Sequence, residues 1–339
     1  MDDLYAMGIF IVPPLTPPPT PPPDFPEDLQ DQELTEPSVT ISKNGRLYDL
    51  ELYEDQYPWP IDSEARERQQ HVHDVLIAYF GGSLWHAPIT SQLGLVLDIG
   101  TGTGCWAFHF ADELTSVRVH AIDSVVLQTN LVPLNLEIDI DNVSKYSDWH
   151  TMYQDVDFAH IGRMGHRIQN LGNVVNGIAR CGKPGAWAEF VDWIVEFQTD
   201  QNCPVRQWCK DMKDALSHYG YDLDLPLEYE NTLKEKGFSS VKTIDHRIPL
   251  SLEDSRHTMT SKKVVQIWAE SLVEFSLEPM TAKLGYSAEY VHALCSAVYL
   301  TIVNGHTDGY LNWRVVYGQI PRYDNQQVLR AWKNFFGCF

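Results

Sequence analysis

The residues best suited to chemistry lie in Asp98-Ile99-Gly100-Thr101-Gly102-Thr103-Gly104, where three glycines alternate behind an acid. Glycine adopts positive φ without strain and lets the backbone approach a ligand closely. The apolar run Leu95–Ile99 ahead of it reads as a parallel strand buried on both faces, and Cys105–Leu114 behind it as a helix. The start of that helix presents unpaired N–H groups and a partial positive charge, so a carboxylate or phosphate can sit there. The dinucleotide pattern G-x-G-x-x-G is absent from this turn. An acid at position 98 would repel a pyrophosphate but attract an ammonium. The combination suits S-adenosylmethionine, whose amino-acid end carries both charges and which has no phosphate. Asp123 closes the next strand, where a carboxylate can accept from ribose hydroxyls. Asp139 closes the third and can meet an adenine amino group, with Asp141 as its competitor.

Methyl transfer from a sulfonium is an in-line displacement, and a protein contributes mainly alignment. A carboxylate acceptor is already ionised near neutral pH. A phenol, enol or amine gains from a base within hydrogen-bond reach. The candidate bases are His160, His166 and His306, with Glu189 and Asp192 on the fifth strand. Arg163 and Arg314 are the cations suited to an anionic acceptor, because a guanidinium forks onto carboxylates. No metal site is expected: the six cysteines form no C-x-x-C pair, and no histidines stand at zinc spacing around them. They read as reduced, mostly buried thiols, with Cys338 exposed near the terminus.

Elements alternate around these residues. A helix capped by Asp62 runs to about Phe80, with Val72, Leu76 and Tyr79 on one face. Strands follow at Leu95–Ile99, Val117–Ile122, Leu134–Ile138, Val156–Ile161, Ala186–Val191, Val241–Arg247 and Trp313–Gly318. Helices are expected at Gln169–Arg180, Pro204–Tyr219 and Leu227–Lys236. The alternation predicts an α/β fold with a doubly wound, seven-stranded sheet. Before the last strand, about 250–305, two long amphipathic helices interrupt it and are placed to cap a pocket.

The chain is acidic, with 25 basic against 46 acidic residues and a formal charge of -21, which disfavours nucleic-acid partners. Residues 1–43 are expected to be a mobile proline-rich and acidic tail, nine of the fourteen residues from Pro13 to Pro26 being proline. That tail is a candidate docking segment for a protein partner. The methyltransferase-like domain would span 44–322, and a short tail, 323–339, follows it. The acidic opening argues against a signal peptide and no run reaches membrane-spanning length, so a cytoplasmic or nuclear location is expected.

DIGTGTGCWA at Asp98–Ala107, followed by Phe110-Ala111-Asp112-Glu113, resembles the fungal LaeA-like methyltransferases, relatives of the velvet-associated regulator of secondary metabolism. Further marks are Gly45-Arg46-Leu47-Tyr48, Pro60-Ile61-Asp62, Gly82–Pro88, Glu137-Ile138-Asp139, Asp157–Ile161, Lys183-Pro184-Gly185, Leu284-Gly285-Tyr286 and Val316-Tyr317-Gly318. The resemblance implies a class I (Rossmann-like) methyltransferase fold with S-adenosylmethionine in the glycine-loop crevice. It implies cofactor contacts at Asp98, Gly100, Thr101, Gly102, Thr103, Gly104, Trp106, Asp123, Ser124, Asp139, Ile140 and His160. Tyr48, Arg68 and His73 would reach the cofactor from an N-terminal helical cover. Three departures stand out: Ala186 follows Gly185, Met164-Gly165-His166-Arg167 follow the fourth strand, and Val125-Val126-Leu127 follow Asp123. The cofactor half is intact and the acceptor half individual, which points to a specialised substrate. Three functions are therefore open: methylation of a polyketide or peptide–polyketide metabolite, a regulatory subunit that binds proteins, and a cofactor-assisted cyclisation.

Overall fold

A computed structural model describes residues 39–90, 92–124, 132–146, 148–199 and 201–321. The proline-rich tail, Val125-Val126-Leu127, Cys338 and the segment 323–339 lie outside these residues. An antiparallel pair, β1 (Thr40–Lys43) and β2 (Arg46–Asp49), opens the described chain, turning through Asn44-Gly45. β1 thus lies just ahead of Asn44. Asp49 caps the short α1 (Leu50–Glu54), and Asp62 caps α2 (Ser63–Tyr79) by accepting from the Ala65 N–H.

The main sheet holds β3 (Leu95–Ile99), β4 (Arg118–Asp123), β5 (Leu136–Ile140), β6 (Val156–Gly162), β7 (Gly182–Phe197), β8 (Ser239–Pro249) and β9 (Gly309–Gln319). Their order is β5-β4-β3-β6-β7-β9-β8. The first five are parallel, and β9 runs antiparallel between β7 and β8. This is the seven-stranded class I methyltransferase fold. All of β3 is buried because helices cover both faces, which is why its sequence is a continuous apolar run. One core lies under α3 (Cys105–Glu113) and α5 (Pro204–Ser217), the other under α4 (Leu171–Cys181) and α6 (Tyr229–Glu235). The direction of winding reverses between β3 and β6, and a crevice for ligands opens at such a switch point.

Two expectations change. β5 runs to Ile140 rather than Ile138, which shifts the strand end past Asp139. The insertion is three helices, α7 (Met259–Glu270), α8 (Leu272–Leu284) and α9 (Ala288–Val303). The apolar period continues through Ser271 with no glycine or proline to mark the break, so α7 and α8 read as one helix. Ser271 separates them: its N–H keeps the helical bond to Ile267 O while its hydroxyl donates to the same carbonyl at 2.6 Å, a back-bond that bends a helix. α2 packs along α7, closing the sheet's C-terminal edge. Among the described residues no helix is long and apolar enough to cross a membrane.

Candidate functional site

The glycine loop leaves β3 with Gly100, Gly102 and Gly104 at φ 73°, 58° and 80°. Gly100 N and Thr101 N both donate to Ile122 O, at 2.7 and 3.0 Å, which pins the loop to β4. Gly102 N donates to Asp123 Oδ2 at 2.7 Å, and Thr103 N to Gln69 Oε1 at 3.2 Å. A Cβ at Gly100 would stand 2.1 Å from Met164 Cγ, and one at Gly102 2.5 Å from Gln69 Oε1. The positive φ makes both positions suited to glycine, and a side chain at either would also push aside Met164 or Gln69.

Asp98 is buried, and both its oxygens have protein partners: Thr101 Oγ1 donates at 2.6 Å and His160 Nδ1 lies at 2.9 Å. The His160 ring stacks on Trp106 with centroids 3.9 Å apart, and Trp106 Nε1 donates to Leu84 O at 2.7 Å. A chain of contacts therefore ties β3, β6, α3 and the segment 82–88 around one buried carboxylate. His160, read as a candidate base and a cofactor contact, orients Asp98.

Three cavities meet at Gly100. One, of about 180 Å³, lies beyond Asp123 and is walled by Ser124, Asp141, Asn142, Tyr57 and Tyr221. A smaller one, of about 50 Å³, reaches Asp98, His160, Trp106 and His73. The third, of about 120 Å³, is a chamber with Trp59, Trp193, Trp268, Trp313 and Phe275 in its walls. Its floor is the segment Gly162–Arg167, and α7 and α8 form its roof, so the insertion does face a pocket. Met164 borders both larger spaces.

The chamber's charges are Arg68, Arg163, Arg167 and Glu274. Glu274 lies 3.3 Å from both Arg46 and Arg68, and Arg46 also forks onto Asp62 at 2.7 Å. Burial raises the Glu274 carboxyl from its ordinary value, against the pull of Arg46 and Arg68. Arg163 has φ 58°, its N–H donates to Val191 O, and its Nη1 donates to Gln69 O at 3.2 Å. Burial lowers its pKa, yet a guanidinium keeps its proton in proteins. Arg167 lies over the Trp59 ring at 4.7 Å. Burial, helped by Arg167, pushes His166 down to about 3, so its imidazole is neutral. Burial and then Arg163 push His73 down to about 4, and its Nε2 sits 3.3 Å from His109 Nδ1.

Several expected site residues stand elsewhere. Asp139 borders none of the three cavities: His120 Nδ1 and Tyr153 OH take its Oδ2, at 2.8 and 3.0 Å, and His120 holds its carboxyl below the usual range. Because β5 extends to Ile140, Asp141 reaches the cavity in its place. Ile140 is exposed. Tyr48 points into the core beside Tyr53, and Thr103 contacts Cys105 at the mouth of a separate groove. Glu189 is buried, and its Oε2 accepts from His86 N and Ala87 N, at 2.7 and 2.5 Å, so it clamps the segment 82–88. His306 is exposed in the turn after α9, and Arg314 forks onto Asp245 on the sheet at 2.8 and 3.0 Å. Asp192 accepts from Tyr229 OH at 3.0 Å, and its Oδ1 lies 3.9 Å from His166 Nε2. Gln69, Met164, Arg167 and Glu274 are among the lining residues the sequence did not single out as site residues. Gln69 and Glu274 carry no motif, but Met164 and Arg167 lay in the stretch already marked as individual.

The sheet order and this loop-and-crevice geometry are those of a class I methyltransferase fold. The chain belongs to the methyltransferase-domain family, whose profile matches residues 67–242. It is 25% identical over 287 residues to Methyltransferase pytC of Aspergillus terreus, covering 82% of this chain and 87% of that one. It is 28% identical over 255 residues to Secondary metabolism regulator LAE1 of Gibberella fujikuroi, covering 70% and 79%. Among solved structures, phosphoethanolamine N-methyltransferase 2 of Haemonchus contortus matches with TM-score 0.43 and 16% identity over 74% of this chain. The match spans about half, 52%, of that enzyme's chain.

Proposed function

We propose that the chain transfers a methyl group from S-adenosylmethionine to oxygen or carbon of a small secondary metabolite, of polyketide or peptide–polyketide type. The observation that carries this reading is the meeting of three cavities at Gly100, on the switch point between β3 and β6. The residues present suit the cofactor. Asp123 and Asp141 offer carboxylates to hydroxyl and amino groups in one cavity, and Thr103 N is already donating to a displaceable side-chain oxygen. When bound, the cofactor supplies an electrophilic methyl. Gly100 and Gly102 admit it without a side chain in the way, and Asp98, fixed by Thr101 and His160, places negative charge beneath the loop. The tryptophan chamber excludes water and fixes the acceptor's orientation, which is the alignment such a displacement needs.

The likeness to secondary-metabolism regulators supports a second reading, in which the fold works through protein partners. One experiment separates them. The full chain is incubated with methyl-labelled S-adenosylmethionine and a small-molecule extract of the producing fungus. Label in a metabolite that has gained one methyl mass supports transfer. Cofactor binding with label in no small molecule counts against it.

A further inference from the structure

We propose that the acceptor is an organic acid with a broad aromatic or apolar body, taken up already ionised, and that Arg163 and Arg167 hold its charge. This rests on the methyltransferase reading above and narrows its substrate. Four indoles and Phe275 give the chamber flat apolar walls. Such walls take the body of a planar ligand, not its charge. Three guanidinium groups line the same space against one carboxylate. Glu274, the carboxylate, is matched by Arg46 and Arg68. Among the described residues Arg163 and Arg167 make no ion pair, in a chain with formal charge -21. Arg163 feels Asp98 and Asp192 from a distance and Arg167 feels Glu274, but among the described residues neither guanidinium has a carboxylate in direct contact, and a ligand anion would supply one to a cation partly withdrawn from water. Arg163 is also the one non-glycine residue of the cavity walls with positive φ, between Gly162 and Met164. Strain of this kind persists where surrounding structure fixes it, and here it turns a guanidinium toward the site.

The groups that could accept a proton point to the same acceptor class. His160 is committed to Asp98, Glu189 to two backbone N–H groups, and Glu274 to two arginines. His166 is buried against Trp193 and Phe275, and its low pKa makes it a poor base. An acceptor that must be deprotonated in place finds little help, whereas a carboxylic acid or acidic enol arrives without its proton. An oxygen lone pair of the acid forms the O–CH3 bond as the S–CH3 bond of the donor breaks, and that bond's electron pair remains on sulfur. The two charges cancel and no proton is released.

The test is calorimetric titration of the full chain saturated with S-adenosylhomocysteine. The probes are 2-naphthoate, cinnamate and 4-hydroxy-6-phenyl-2-pyrone, each against its neutral amide or methyl ether. At least one acid should bind tenfold or more tighter than its neutral partner, without change from pH 6 to 9. Arg163→Gln and Arg167→Gln should each reduce that preference at least fivefold. Arg163→Lys should retain part of it, and melting curves identify any variant that fails to fold. Equal binding of acids and neutral partners, a preference that survives both glutamine substitutions, or no acid bound beside S-adenosylhomocysteine would overturn the assignment. Failure of S-adenosylhomocysteine itself to bind would instead strike the underlying methyltransferase reading.

Discussion

At the scale of single residues, the glycine loop is a conformational requirement as much as a motif. Gly102→Ala places a Cβ at φ 58° and 2.5 Å from Gln69 Oε1. The strain should cost about 1 kcal/mol of stability in urea denaturation. Binding of S-adenosylhomocysteine should weaken at least tenfold. The buried histidines set a pH dependence. His73 and His166 are held neutral, at about 4 and about 3, against an ordinary value of 6.5. Because their folded values are depressed, the unfolded chain takes up protons first as pH falls. The associated stability is complete above about pH 6.5 and is lost progressively toward pH 4 and below. At pH 4 each should remove on the order of 2–3 kcal/mol. Melting temperature should therefore fall through this window, and His73→Phe, if the ring is accommodated, should shrink the fall. Asp98, Gly100, Gly102 and Asp123 were legible because acids and glycines at fixed distances from strand ends follow backbone geometry. Asp139 stands outside the three cavities because β5 ends two residues later than its sequence suggests. Strand ends are set by neighbours in the sheet, which local sequence does not carry.

At the scale of elements, all seven strands of the main sheet could be read, central β3 as a continuous apolar run and the edge strands β5 and β8 as mixtures of apolar and charged residues. The segment 82–88 could be read only as a family mark; its physical use is that Leu84 O receives the Trp106 indole while His86 and Ala87 donate to Glu189. Glu189 was read as a candidate base because it lies on a central strand. Its partners arrive from 103 and 102 residues away, a separation that no local pattern reveals. Glu189→Ala should leave two buried N–H groups without an acceptor and cost on the order of 3 kcal/mol, with Glu189→Gln recovering part of it in denaturation curves. A variant of unchanged stability that loses methyl transfer would restore Glu189 as a base. The break at Ser271 is the complementary case. Helical period says which residues face inward, but a serine that ends one helix and starts the next does not interrupt that period.

At the scale of the whole molecule, the sheet's switch point, the α2 cover and helices α7 and α8 of the insertion together enclose a cavity system whose lining, among the described residues, runs from Leu52 onward. On the methyltransferase reading, in which residues 1–43 serve as a tail, removal of Met1–Glu36 should leave S-adenosylhomocysteine affinity unchanged in calorimetry. The acidic field of the chain surrounds a chamber in which arginines outnumber carboxylates, so charge is distributed by site and not only by composition. Composition told of the field; the arginine-lined chamber required the packing of α2 against α7 and α8. The account stands most directly on one measurement, isothermal titration of S-adenosylhomocysteine into the full chain and into Asp123→Ala. It predicts one-to-one binding that weakens at least tenfold in the variant. No heat of binding, or equal affinity in both proteins, would contradict it.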